Sequence, residues 1–383
     1  MVKIPSIKEI EDFLLQDSKT TDLVAAGDTK AKSPNTKLTA QQVRHEVSVF
    51  ARVLINVYSG WPFHDEILKR KILQILIEIH KNAHDMTSLE LLEKLKPAIE
   101  IIPDNHISLR MIGHDKGVRT RLRKSRPNVG SNIAGDKKFI VKLKNDIGII
   151  GIRTLFNWTP EEKEEFEQQW QTMLPKAKTL IIDLRDNEGG SDRPTIKLTS
   201  YILGYHYPAA RRVFIRNNPD ANAVKKLYEH FNGNKFNIES NEDPVIFKDA
   251  SKNALPEFDA KKAGFNGQIY MLINGKVMSA GEVVCTQMLN YPNIKFIGTN
   301  TCGGEVYGYN YAYILLPHSN MTFNVGCVYR EMFVNNFELN GYKPDIACKD
   351  GQDAFDVALS EYANQRNTNK SVKSNLYFSS KCY

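Results

Sequence analysis

The chain has 383 residues, of which 42% are hydrophobic and 10% aromatic, enough apolar material for the cores of two or three domains. No stretch approaches the roughly 20 apolar residues of a membrane-spanning helix, and residues 1–11 lack the apolar segment of a secretory signal. These features exclude a membrane span and predict a cytoplasmic protein, although a truncated exported form would read the same way.

The five cysteines are odd in number and form no CxxC pair, which excludes the common zinc and redox motifs. Free thiols in a reducing compartment are therefore expected. The cysteines are Cys285, Cys302, Cys327, Cys348 and Cys382.

The formal net charge of +7 is concentrated between residues 115 and 145. This segment has ten basic and two acidic residues, so its own net charge is 10 − 2 = +8. Because it lacks interleaved aromatic residues and any known nucleic-acid motif, a nucleic-acid partner is not expected. Two interpretations stay open: a solvated loop, or a surface that attracts acidic groups or a peptide carboxylate.

The N-terminal third of the sequence predicts helices. Residues 1–38 read as a loosely held arm with one short helix near Ile7–Leu15. Apolar residues spaced by three and four then predict a helical subdomain over 39–103. Its first helix is expected to be capped by Thr39, and Pro97 is expected to interrupt the far end of its third helix.

Beyond residue 103 the pattern is that of an α/β catalytic domain, predicted over 104–362. Residues 217–265, rich in Asn, Lys, Asp and Pro, are predicted to be an insertion, and 363–383 a polar tail. The predicted strands are Phe139–Leu143, Ile147–Thr154, Thr179–Leu184, Gln268–Asn274, Lys295–Gly298, Tyr311–Leu316 and Met321–Tyr329. The predicted helices begin at Thr159–Pro160, near Ser279, and at Asp353, the last one running to Tyr362.

Ser279 follows an apolar strand that breaks at a glycine turn, and it opens the next helix. Helix N–H groups and the positive end of the dipole stabilise negative charge beside such a serine, and the small Ala280 lets a carbonyl approach. This placement suits a nucleophile, but serine is also a favoured helix cap. The segment lacks the first glycine of the G-x-S-x-G elbow, which argues against the common α/β-hydrolase fold.

Gly189 and Gly190 end the loop after the buried strand at Thr179–Leu184. Paired glycines at a strand end expose backbone N–H groups, so either residue is a candidate oxyanion donor opposite Ser279. A plain tight turn explains the pair equally well.

Four motifs in one order resemble the C-terminal processing, or tail-specific, serine peptidases. Residues 179–190 read T-L-I-I-D-L-R-D-N-E-G-G, similar to the L-I-x-D-L-R-x-N-x-G-G signature of that family. Residues 272–282 match its strand, Asn, turn and Ser-Ala-x-Glu segment. Residues 298–303 match its Gly-x-x-Thr-x-Gly turn and 341–345 its Gly-x-x-Pro-Asp element. The resemblance extends over roughly 40–360.

The sequence departs from the tail-specific pattern where the catalytic lysine should follow the Thr-x-Gly turn, because Gly304 stands there. Only about 40 residues separate His106 from the strand at Ile147, too few for a PDZ module. In both features the sequence resembles the lysine-free relatives, which are the tricorn protease core and interphotoreceptor retinoid-binding protein. The resemblance thus implies an α/β fold with a crotonase-like (ClpP-like) spiral catalytic domain, a helical N-terminal subdomain and no PDZ domain.

The same resemblance implies the roles of the site residues. In the lysine-free relatives a histidine just before the β-rich part acts as base, and His106 in D-N-H-I-S matches it. Asn105 stands where the tricorn core has a serine, and Glu338 matches its glutamate, which would orient the base through Asn105 or a water molecule. Ser279 is the implied nucleophile. No metal and no cofactor are expected.

The sequence therefore predicts a serine peptidase that hydrolyses peptides or unfolded proteins through a Ser279–His106 pair and an acyl-enzyme. The N–H groups of Ala280 and of Gly189 or Gly190 would hold the oxyanion. The alternative is a binding module on the same fold that holds an apolar ligand or peptide without turnover.

Overall fold

The computed structural model describes residues 5–25, 30, 32–115, 117–119, 126–232, 240–250, 258–308, 313–333 and 337–379. Residues 116 and 120–125 of the basic segment, part of the strand predicted at 311–316 and the thiol of Cys382 therefore lie outside the described residues. The other four cysteines are buried free thiols, as predicted. None of the described helices combines the length and the apolar character needed to cross a membrane.

The described α-helices are α1 (Ile7–Leu15), α2 (Ala40–Arg52), α3 (Glu66–Lys81), α4 (Ser88–Glu100), α5 (Pro160–Met173), α6 (Arg193–Leu203), α7 (Pro219–Asn232), α8 (Ala280–Met288), α9 (Phe337–Asn340) and α10 (Ala354–Ser379). The described strands are β1 (Val24–Ala25), β2 (Lys37–Leu38), β3 (Met86–Thr87), β4 (Ser108–Met111), β5 (Gly117–Arg119), β6 (Phe139–Lys144), β7 (Ile147–Ile152), β8 (Thr179–Asp183), β9 (Arg212–Ile215), β10 (Val245–Asp249), β11 (Gln268–Ile273), β12 (Ile294–Gly298), β13 (Tyr307–Gly308), β14 (Ile314–Leu315), β15 (Met321–Asn324), β16 (Val328–Glu331) and β17 (Ile346–Ala347).

Two compact units make up the chain, and each is assembled from three separate segments. The first unit comprises Met1–Arg123, Ala210–Asn253 and Val306–Leu339. The second comprises Lys124–Ala209, Ala254–Glu305 and Asn340–Tyr383. The domains predicted from sequence, such as 39–103 and 104–362, run consecutively along the chain, and their boundaries stay a prediction.

The first unit packs helices against antiparallel sheets. One sheet has the order β1-β14-β15-β4-β5 and another the order β10-β9-β16-β13. The rings of Phe50 on α2 and Phe323 on β15 stack 4.2 Å apart in its core. Val224 and Val245, from the range predicted as an insertion, belong to the same core.

The second unit is built on a six-stranded sheet with the order β17-β12-β11-β8-β7-β6, parallel except for the β6–β7 hairpin. All five residues of β8 are buried, which fits its continuous apolar run. Asp183 at the end of β8 pairs with Leu272 near the end of β11. Because parallel strands end at the same edge of a sheet, the loops after β8 and β11 leave the sheet side by side.

Helix starts follow the sequence closely. Thr39 accepts a hydrogen bond from the amide of Gln42 and forms a capping box at α2, as its position before the apolar stripe predicted. The α1 helix has the predicted bounds Ile7–Leu15, stabilised by a capping box between Ser6 and Glu9.

Three predicted element boundaries are wrong. The α4 helix continues through Pro97 to Glu100, and the burial of Leu95, Ala98 and Ile99 around this proline offsets the cost of its missing N–H and its crowded ring. The strand predicted at 321–329 is divided into β15 and β16, since the carbonyl of Gly326 accepts hydrogen bonds from the amide and hydroxyl of Ser59 instead of pairing in a strand. The last helix extends to Ser379 instead of Tyr362, in a stretch that contains neither glycine nor proline.

Arg185 fixes the loop that follows β8. Its guanidinium is fully buried and binds both carboxylate oxygens of Asp183, at 2.9 and 2.7 Å. It also donates to the carbonyl of Val129 and to Asp353, each at 2.7 Å. This network gives Asp183 and Arg185 a structural role, because it ties the loop to two other chain segments.

We expect Arg185→Met to lower the free energy of unfolding by about 3–5 kcal/mol, because Asp183 would be left buried without its counter-charge. Urea titration followed by circular dichroism measures the loss. The control is Lys197→Met, which removes a 2.6 Å ion pair to Glu167 from a lysine that is 67% exposed. It should cost less than about 1 kcal/mol. Equal losses in the two variants would contradict the assigned role of Arg185.

Candidate active site

Ser279 has a strained backbone at the start of α8. Its φ is +53° and its ψ −122°, a conformation that costs a residue other than glycine about 1–3 kcal/mol. Ser279 occupies the N-cap position, yet its side chain makes no cap hydrogen bond to the helix. The interpretation of Ser279 as an ordinary helix cap is therefore wrong, because a capping serine has extended backbone and accepts a bond from the first turn.

Asn187 connects the loop after β8 to the turn that carries Ser279. Its carbonyl accepts a hydrogen bond of 3.0 Å from the amide of Met278. Its side-chain amide donates to the carbonyl of Ile152 at 2.9 Å, which anchors the residue to β7. The serine turn is thereby held to the sheet through one buried asparagine.

The glycine loop lies against Ser279. The φ of Gly189 is +97°, and a Cβ atom at this position would meet the carbonyl oxygen of Met278 and the Cβ of Ser279, both at 2.9 Å. The same atom would stand 3.1 Å from the amide nitrogen of Ala280. Only glycine satisfies both the backbone conformation and this close approach.

The amide groups around Ser279 differ in their hydrogen bonding. The N–H of Gly189 donates to Asn187 Oδ1 at 2.9 Å, so the structure does not favour it as an oxyanion donor. Gly190 forms a parallel bridge with Leu155 through the carbonyl of Gly189 and the amide of Ser191, which leaves the Gly190 amide outside the bridge. The amide of Ala280 belongs to the first turn of α8, where N–H groups have no helical partner.

His106 lies in the first unit beside Asp104, a carboxylate that sequence reasoning missed. Asp104 is fully buried, and its Oδ1 accepts a hydrogen bond of 2.7 Å from the amide of His106. The same oxygen is 3.6 Å from His106 Nδ1. This distance is too long for a hydrogen bond, but catalytic pairs often tighten when substrate binds.

Glu338 is buried and anchored by backbone amides. Its Oε1 accepts from the amide of Asn105 and its Oε2 from the amide of Val306, each at 3.0 Å. The side chain of Asn105 in turn donates to the carbonyl of Glu338 at 3.1 Å. The structure thus brings together Asn105, His106 and Glu338, and it shows Glu338 holding the segment that carries the imidazole.

Two tyrosines and a second histidine surround these carboxylates. Burial, aided by the negative charges of Asp104 and Glu338, raises the pKa of Tyr58 and of Tyr307 well above the ordinary phenol value, so both remain protonated. Burial lowers the pKa of His64 to about 4. His64 is therefore a neutral and weak base at physiological pH.

Among the described residues, one group of side chains could hold a metal ion: Asp104, His106 and Glu338. Their ligand atoms lie within 4.8 Å of one another. One imidazole and two carboxylates form a ligand set that zinc accepts. The sequence predicted no metal, and Asp104 was absent from the predicted site.

The predicted site residues fall into two groups, one in each unit. Asn105, His106 and Glu338 belong to the first unit. Ser279, Ala280, Gly189 and Gly190 belong to the second. Asp104 was not among the predicted site residues, and its distance of 3.6 Å to His106 Nδ1 is what marks it in the structure.

Comparison with known proteins gives one family and a set of related folds. A model of Peptidase family S41 matches residues 146–348, which is 203 of the 383 residues. The fold is similar to that of a candidate peptidase from Parabacteroides merdae ATCC 43184, with 14% identity, a TM-score of 0.56, and coverage of 84% of this chain and 96% of the other. It is also similar to mature CPAF, solved in complex with lactacystin, with 12% identity, a TM-score of 0.51, and coverage of 87% and 98%. No curated protein sequence matches the chain.

We expect Gly189→Ala to lower kcat about 100-fold or more on a peptide substrate, because the new methyl group would displace Ser279 and crowd the amide of Ala280. Steady-state kinetics measures the effect. Gly135→Ala is the matched control: this glycine also has a positive φ, +59°, but a Cβ there would meet nothing within 4 Å. The control should keep kcat close to that of the unmodified protein, and an equal loss in both variants would contradict the role of Gly189.

Proposed function

The chain belongs to Peptidase family S41, and from this premise we propose that it hydrolyses peptide bonds with Ser279 as nucleophile and His106 as general base. The substrate is a peptide or an unfolded protein segment, which can present an extended backbone to the serine. The pairing of Ser279 with His106 is inferred from the sequence motifs.

The strained backbone of Ser279 is the observation that supports the proposal most. A residue that only capped α8 would gain nothing from a positive φ, and it would use its hydroxyl for the helix. Strain of this kind persists where the surrounding structure fixes it, and it is found preferentially at active sites. The sharp strand-to-helix turn matches the arrangement by which other hydrolases present a nucleophilic serine.

In the proposed reaction, the imidazole of His106 accepts the proton of the Ser279 hydroxyl while the oxygen attacks the peptide carbonyl carbon. The N–H groups of Ala280 and Gly190 stabilise the resulting oxyanion. His106 then gives the proton to the departing amine, and an ester to Ser279 remains. Water attacks this acyl-enzyme, with His106 again accepting a proton, and the second product leaves.

Asp104 is the carboxylate that we assign to the orientation of His106. Its Oδ1 is 3.6 Å from Nδ1 and fixes the backbone of the same residue. Glu338, the residue implied by the family resemblance, has each oxygen engaged by a backbone amide. Glu338 therefore positions the segment that carries His106. Asp104 orients the His106 ring and stabilises the imidazolium charge that forms during the reaction.

We expect the full chain to cleave an unfolded protein substrate and Ser279→Ala to lose this activity entirely, with an unchanged circular dichroism spectrum. A serine-directed phosphonate should label Ser279 in the unmodified protein, and mass spectrometry of the digest locates the adduct. Ser191→Ala is the control and should retain both activity and labelling. Peptide cleavage by a folded sample without an adduct on Ser279 would refute the assignment. Binding of an apolar ligand without any cleavage would instead favour the alternative of a binding module.

We expect Asp104→Asn to lower kcat by about 10³-fold with little change in KM. The uncharged asparagine side chain would stabilise neither the imidazolium form of His106 nor the correct tautomer of its neutral ring. Steady-state kinetics on a peptide substrate measures both constants. Asp136→Asn, at an exposed aspartate, is the control and should have no effect. If Asp104→Asn kept its kcat while Glu338→Gln lost it, the orienting carboxylate would be Glu338.

A further inference from the structure

Two carboxyl groups that the proposed mechanism does not use lie in the interior of the second unit. Glu282, in the first turn of α8, and Glu305, after β12, are both fully buried. The hydroxyl of Thr286 lies 2.8 and 2.7 Å from the two oxygens of Glu305, and it also contacts the hydroxyl of Tyr342. Buried acids placed close together need either a cation or a proton to offset their charge.

For Glu282, the surrounding contacts favour a proton over a cation. Its Oε1 accepts hydrogen bonds from the hydroxyl of Thr301 at 2.5 Å and the amide of Gly303 at 2.8 Å. Its Oε2 is buried without a hydrogen-bond partner, and Glu282 has no ion pair among the described residues. Burial, reinforced by the charge of Glu305, raises the pKa of Glu282 well above that of an ordinary carboxyl group. The raised pKa favours the neutral acid.

The bonds of Glu282 act on the turn that carries Ser279. Three residues after the serine, Glu282 binds the segment 301–303. Two residues before the serine, the carbonyl of Val277 accepts a hydrogen bond of 2.8 Å from the amide of Cys302, in the same segment. The strained serine is thus held between two attachments to one loop, the kind of support that a strained backbone requires.

The loop itself is fixed from its far side by Tyr342. The amide of Thr301 donates to the carbonyl of Tyr342 at 3.0 Å, and the amide of Tyr342 donates to the hydroxyl of Thr301 at 2.6 Å. The hydroxyl of Thr301 in turn donates a hydrogen bond to Glu282. A continuous chain of hydrogen bonds therefore runs from Tyr342 to the first turn of α8.

The sequence Ser-Ala-Gly-Glu has the spacing of a capping box, in which Glu282 would reach back to the amide of Ser279. The carboxyl group accepts hydrogen bonds from Thr301 and Gly303, and a backbone hydrogen bond from Ser279 also acts on it and partly offsets the rise in its pKa. The glutamate three residues after the serine thus fixes the position of the turn, whereas the side chain of Ser279 does not cap α8.

We propose that Glu282 is a positioning residue that works as a neutral carboxylic acid, holding the Ser279 turn to the 301–303 loop, and that its ionisation sets the alkaline limit of activity. The proposal rests on the proposed peptidase function. The titratable groups that face Glu282 are Glu305, Cys285, Tyr342 and Arg126. The charge of Glu305 opposes the ionisation of Glu282, and the ionised form would repel Glu305 and loosen the turn.

The sign of the pH dependence follows from the raised pKa of Glu282. A group whose pKa is higher in the folded than in the unfolded chain stabilises the fold at low pH and loses this contribution as the pH rises through the folded value. Activity is accordingly expected to fall at alkaline pH. Removal of the Glu305 charge should move this fall to lower pH, because Glu282 then ionises more readily.

The kinetic test compares kcat from neutral to alkaline pH in Glu282→Gln, Glu282→Ala and Glu305→Gln. Glu282→Gln, which mimics the neutral acid, should keep kcat at neutral pH and lose the alkaline fall. Glu282→Ala should lower kcat about 100-fold with little change in KM. Glu305→Gln should move the alkaline fall to lower pH. Glu46→Gln, a fully buried glutamate in the first unit, is the matched control and should leave the profile unchanged.

Infrared spectroscopy of the Ser279→Ala protein tests the protonation of Glu282 without relying on catalysis. The carbonyl absorption of a protonated carboxyl group should be present at neutral pH and should weaken when Glu282→Gln is added. An unchanged absorption, or an alkaline fall that persists in Glu282→Gln, would overturn the proposal. If the unmodified chain cleaves no peptide but the absorption depends on Glu282, the peptidase function fails and the protonated acid stands.

Discussion

The strained backbone of Ser279 is the constraint on which the rest of the second unit depends. A positive φ at a serine is unfavourable by itself, so neighbouring segments must fix it through bonds that are lost together if the turn relaxes. Met278 is held by Asn187, Val277 by Cys302, and Glu282 by Thr301 and Gly303. The buried polar groups of this unit therefore have a mechanical role, and the stability that they contribute offsets the strain.

The parallel register of β8 and β11 explains why a glycine loop and a serine turn far apart in sequence lie against each other. Asp183 pairs with Leu272, so both strands end at one level, and the buried Arg185 holds the loop that begins there. Gly189 can then approach Ser279 without a side chain between them. Sheet geometry brings these loops together, and the absence of a Cβ at Gly189 allows their close contact.

Local rules predicted the features that depend on neighbouring residues in the chain. The cap at Thr39 and the apolar run of β8 were identified in this way, and the family motifs made Ser279 and His106 candidates. Sequence reasoning failed where a distant segment decides the outcome. The bond between Ser59 and Gly326 divides a predicted strand in this way. The hydrogen bond from the Gly189 amide to the Asn187 side chain, by contrast, is a local bond that the sequence pattern did not reveal. Asp104 was missed because its importance comes from a distance to Nδ1, which no residue pattern encodes.

The assembly of each unit from three chain segments has a consequence for synthesis. In the first unit, β15 lies between β4 and β14, so β4 has no partner on that side until residues near 321 have left the ribosome. In the second, β11 completes its pairing with β12 only after residue 298. Such long-range pairings form slowly and leave strand edges open meanwhile. A nascent chain cut short before residue 300 would hold the serine turn without the loop that restrains it, so a hydrolase of this design acquires its working geometry only after residues 301–303 have been synthesised.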